Sequence, residues 1–75
     1  MTKLIEALKR VNDQIDYENE KNLVDDGLFS SFDIVDAISE IEETFGIEIP
    51  PSEIKNENFK SAQNIMEMIK RIQNG

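Results

Sequence analysis

The 75-residue chain contains no cysteine, no histidine and no tryptophan, and only two prolines and three glycines. Without cysteine there is no disulfide and no thiol nucleophile; without histidine there is no imidazole base; together the two absences remove the Cys/His zinc sites. Long hydrophobic runs are also missing. No stretch approaches the ~20 apolar residues of a membrane span, and residues 1–15, MTKLIEALKRVNDQI, lack the apolar centre of a signal peptide. The expectation is a single cytoplasmic domain over residues 1–75 with no membrane insertion. It has a thin core, because a chain this short buries only about 60–65% of its unfolded surface.

Positive charge is scarce too: eight lysines and arginines face sixteen acids, for a net charge of −8. The imbalance is concentrated. Residues 16–57 hold thirteen acids against Lys21 and Lys55, whereas both flanks are weakly basic. Binding to nucleic acid needs the opposite sign and is not expected. Two readings of the acidic middle stay open: docking onto basic protein surfaces, or a face that simply solvates a small helical protein.

What remains is helical in pattern. Leu4, Ile5, Leu8, Val11 and Ile15 share one face and predict a helix from residue 2 to about 16, with Thr2 as N-cap. Residues 17–27 gather Asn, Asp and Gly and predict a loop, pinned by Tyr17, Leu23 and Val24. A second helix is predicted from Ser30–Ser31, with Phe32, Ile34, Val35, Ile38, Ile41, Glu42 and Phe45 on one side and Asp33, Asp36, Glu40 and Glu43 largely on the other. Gly46 ends it and Pro50–Pro51 prevents its continuation. Residues 52–59 form a short helix or a turn anchored by Ile54 and Phe59. Ser61 then caps a last helix carrying Ile65, Met68, Ile69 and Ile72. The predicted fold is all-α, a small bundle of three to four helices with a long loop after the first.

The adjacent serines admit more than one role. Ser30 with Asp33 three residues later resembles a capping arrangement, and capping alone accounts for two serines before a helix. A calcium loop counted from Asp25 fails, because Ser30 falls where glycine is required; no metal site is expected. A helix N-terminus also favours a phosphate, so a serine in the first turn is well placed to carry a phosphodiester, and a chain without a thiol would borrow one from an attached arm.

From Asp26 to Pro50 the sequence resembles the acyl carrier proteins of the phosphopantetheine-binding type. Gly27, Leu28, Val35, Ile41, Glu42, Phe45, Ile47, Ile49 and Pro50 fall in the family's register, and GLFSSF stands where members have Asp-Ser-Leu at the start of the second helix. The resemblance implies that Ser31 is esterified by the phosphopantetheine of coenzyme A. It also implies that the protein is a free-standing monomeric shuttle, not an enzyme, holding an acyl or aminoacyl group as a thioester. Its partners would be a phosphopantetheinyl transferase and loading and acceptor enzymes whose basic surfaces read Asp33, Asp36, Glu40 and Glu43. The family's settings are lipid and secondary-metabolite biosynthesis, and the DGLFSSF segment leans toward D-alanyl and aminoacyl carriers. For the apolar Phe29, Phe32, Val35 and Ile54, core packing is favoured over flanking the arm. One departure stands out: Ser30 replaces the family's aspartate, which lies near the magnesium and the transferase. Two readings follow, a carrier needing a dedicated transferase and a carrier-like adaptor that is never pantetheinylated.

Overall fold

A computed structural model describes all 75 residues. It contains three α-helices, α1 (Thr2–Val11), α2 (Ser31–Phe45) and α3 (Ala62–Asn74), with two single 3-10 turns, Pro51–Glu53 and Asn56–Phe59, between the last two. There is no strand; in the GIEIP segment Gly46 is a turn residue and residues 47–50 form no regular element.

Helix α1 is shorter than its apolar periodicity predicts. It stops at Val11, and Asn12 turns out into extended backbone at φ −153°. The reason is local competition: the Asn12 side chain accepts a hydrogen bond from the Gln14 amide (3.0 Å), which offers the backbone an alternative to another helical turn. Tyr17 then closes the end, its hydroxyl lying 2.9 Å from the Leu8 carbonyl and 2.7 Å from that of Asn12. Ile15 still reaches the core, but from the loop. Thr2 is the first helical residue and not the cap, a position held by Met1.

The long connection, residues 12–30, therefore begins earlier than predicted, and its own apolar side chains tie it down. Ile15, Tyr17, Leu23 and Phe29 are buried and Val24 partly so. Tyr17 and Phe29 meet edge to face, ring centres 6.0 Å apart. The Leu23 amide donates to the Lys60 carbonyl (2.7 Å) and the Phe29 amide to the Leu23 carbonyl (2.9 Å), so the loop is stitched to the second 3-10 turn and to itself.

Helix α2 ends as predicted. Gly46 adopts the left-handed conformation at φ 64°, which a side chain disfavours, and its amide donates to the Glu42 carbonyl (2.9 Å). The Glu42 side chain accepts from the Ile49 amide (2.9 Å), tying the chain beyond the helix back to its last turn. Of the two residues predicted to anchor 52–59, Phe59 is fully buried, but Ile54 is 43% exposed. An ionic cluster fixes this segment instead: Arg71 of α3 donates to Glu53 (3.0 Å) and to Asn58 (3.2 Å), and Asn58 donates to the carbonyl and carboxylate of Glu53 (2.7 and 2.9 Å). The hydrogen bond from Arg71 holds the Glu53 carboxyl below the usual range. Ser61 caps α3 as expected, accepting from the Asn64 amide (3.1 Å). Leu4, Leu8, Leu23, Ile41, Phe59, Ile65, Met68 and Ile69 are the large side chains at the centre of one shared core.

Candidate functional site

The two serines, adjacent in sequence, are separated in role by the start of α2. Ser30 is the N-cap: its Oγ accepts from the Asp33 amide (3.2 Å), while the Asp33 carboxylate accepts from the Ser30 amide (3.0 Å). This is a reciprocal capping box with Asp in the position usually held by Glu or Gln. Ser31 is the first helical residue, exposed, and its hydroxyl bonds to nothing in the chain. The stability consequence is asymmetric. Ser30→Ala is expected to cost about 1 kcal/mol, and Ser31→Ala close to nothing, as read from urea unfolding of the two variants. Equal losses would mean that the cap is misassigned.

The surroundings hold Ser31 at a fixed point. Two residues before it, Phe29 is buried against Tyr17; three residues after it, the Ile34 amide donates to the Ser30 carbonyl (3.0 Å). The Ser31 and Phe32 amides, at the positive end of a 15-residue helix, have no acceptor in the chain. A phosphodiester on the Ser31 oxygen would therefore meet free N–H donors, and in this respect the residues present fit a phosphate-linked arm. Three shallow grooves mark the surface, all bordered by Tyr17 and Glu18, and none touches Ser31. Attachment of an arm needs a projecting hydroxyl and no cavity.

The outward stripe of α2 differs from the predicted one. Successive helical residues advance by 100°, so Phe32, Val35, Asp36, Ser39 and Glu43 line one face, and all five are exposed. Phe32 is 84% and Val35 61% exposed, which corrects their assignment to the core; of the four apolar residues weighed beside the arm, only Phe29 is buried. The inward face is built on Ala37 and Ile41, with Ile34, Ile38 and Phe45 beside them. The four acids also divide. Asp36 and Glu43 stand free on the outward stripe. Asp33 is occupied by the cap. Glu40 lies on the flank toward α1, where the Arg10 guanidinium reaches both it (2.6 Å) and the Thr44 hydroxyl (2.9 Å). That pairing was not foreseen, since it joins residues thirty apart in sequence.

A free hydroxyl in the first turn of an acidic helix, beside amides that have no acceptor, suits the covalent attachment of a carried group. The comparison with known families agrees, and the chain belongs to the family described as "Phosphopantetheine attachment site", which matches residues 1–72. Its prosthetic group is accordingly phosphopantetheine, and the protein is a carrier rather than an enzyme. Among curated proteins it is similar to the D-alanyl carrier protein of Streptococcus uberis (strain ATCC BAA-854 / 0140J), 35% identical over 74 residues that cover 96% of this chain and 92% of that protein. No solved structure matches. No helix is long and apolar enough to cross a membrane.

Proposed function

We propose that this protein carries its phosphopantetheine on Ser31 and shuttles an aminoacyl cargo, of the D-alanyl type, between a loading and an acceptor enzyme, as a monomer in the cytoplasm. The observation that carries the reading is the division of labour between the serines: Ser30 is consumed by the cap, and Ser31 alone offers a free hydroxyl in the first turn. The arm supplies the thiol that the sequence lacks, so that cargo is held as a thioester. The chain's own residues supply placement. Phe29 and Tyr17 fix the loop end and the capping box fixes the helix start, so the attachment point does not wander.

Enzymes approach along the outward stripe of α2 in this reading. Phe32 and Val35 offer apolar contact beside the attachment point, and Asp36 and Glu43 offer charge to basic surfaces. The similarity to a D-alanyl carrier supports the choice of cargo. The test is to supply the arm-bearing protein with D-alanine, ATP and an ATP-dependent D-alanine ligase, then read the intact mass. One D-alanyl gain that neutral hydroxylamine removes, as it does from thioesters, is expected. No gain on protein that has taken up the arm removes D-alanine as the cargo.

A further inference from the structure

The Arg10 contact has a consequence for recognition. Its guanidinium lies across two α2 acceptors one helical turn apart, Glu40 and Thr44, while the arginine itself stays 53% exposed and the Glu40 side chain 30%. Helix α1 thus lays a cation along one edge of the acidic helix. The fold does not depend on it for packing, since α1 meets the core through Leu4, Ala7 and Leu8. The two acids of the outward stripe itself, Asp36 and Glu43, have no such partner.

We propose that Arg10 is a specificity-determining residue that withholds Glu40 from basic partner surfaces, so that docking is read from Asp36 and Glu43 and a partner presenting a cation toward α1 is disfavoured. This rests on the proposed docking of enzymes on α2. The strength follows from the exposure of the pair: in water such pairs contribute little, so Arg10 tunes recognition over a few-fold range and does not act as an on–off switch. It acts by satisfying the Glu40 carboxylate, whereas plain repulsion of a like charge is the competing account. Only the first requires Glu40, and a double-mutant cycle separates them.

The experiment measures the affinity of the protein for a phosphopantetheinyl transferase by titration calorimetry at low salt and without coenzyme A, so that binding is read independently of loading. Arg10→Gln is expected to tighten binding about two- to five-fold. Glu40→Gln alone should change it by less than about two-fold, and in the Glu40→Gln background most of the gain from Arg10→Gln should vanish. Melting curves confirm that each variant is folded. An equal gain in both backgrounds would overturn the proposal, reducing Arg10 to a distant charge. So would a loss on Glu40→Gln as large as those on Asp36→Asn and Glu43→Gln. If Asp36→Asn and Glu43→Gln also leave affinity unchanged, or no variant binds, the docking reading fails and the role of Arg10 falls with it.

Discussion

Phe59→Ala is expected to remove about 3–5 kcal/mol of stability, the range for deleting a fully buried aromatic ring. A chain of this length has roughly 4–11 kcal/mol in total, so the variant should lose a large fraction of its stability. Phe59 is fully buried at the end of the second 3-10 turn, next to Lys60, whose carbonyl receives the Leu23 amide. Loss of the ring therefore loosens the long loop as well as the core. Urea unfolding of the parent, Phe59→Leu and Phe59→Ala should give a graded series, with leucine near the parent. A loss below about 1 kcal/mol for alanine would place the centre of the core elsewhere.

Raising the pH should destabilise the fold steeply, through Tyr17. Its hydroxyl is pushed up from 10.0 to about 12, first by burial and then by the negative charges of Asp33 and Asp13. In the folded chain the phenol thus keeps its proton over a pH range in which the unfolded chain has released it. The stability this represents is fully present below pH 10 and is lost as the pH rises from about 10 to about 12. Allowing for solvent screening, the contribution is on the order of 1–2 kcal/mol. The proton in question lies against the Leu8 and Asn12 carbonyls, so ionising the phenol turns a donor at the end of α1 into a charge facing two acceptors. Unfolding free energies of the parent and Tyr17→Phe across pH 8–12 isolate this contribution from the lysines, which titrate in both. The difference between them should shrink or reverse above pH 10. A constant difference would mean that the phenol is not held in its protonated form.

How far the sequence could be read depended on whether the deciding interaction was local. Ser30 with Asp33, Gly46, Ser61 and the α3 stripe are governed by partners within a turn of helix, and each took its expected place. The end of α1 was also local, but apolar spacing through Ile15 outweighed the turn signal of Asn12–Asp13, and the missing partner was the Tyr17 hydroxyl, five to nine residues away. The orientation of α2 was misjudged for a different reason. Counting Phe32 and Val35 as core followed from their hydrophobicity alone; including Ala37 rotates the stripe onto Ala37 and Ile41 and leaves Phe32 diametrically opposite Ile41. The candidate attachment point was proposed from capping geometry and family register together. The occupation of Glu40 was not, because Arg10 comes from another helix.

The most direct test of Ser31 as the attachment point is to incubate the parent, Ser30→Ala and Ser31→Ala with coenzyme A, Mg²⁺ and a broad-specificity phosphopantetheinyl transferase and read each intact mass. Ser30→Asp runs alongside, in case the missing aspartate limits that transferase. One phosphopantetheine mass is expected on the parent or on Ser30→Asp, retained at least in part in Ser30→Ala and absent from Ser31→Ala. An arm that persists in Ser31→Ala, or that no variant acquires even with aspartate restored at position 30, would contradict the assignment.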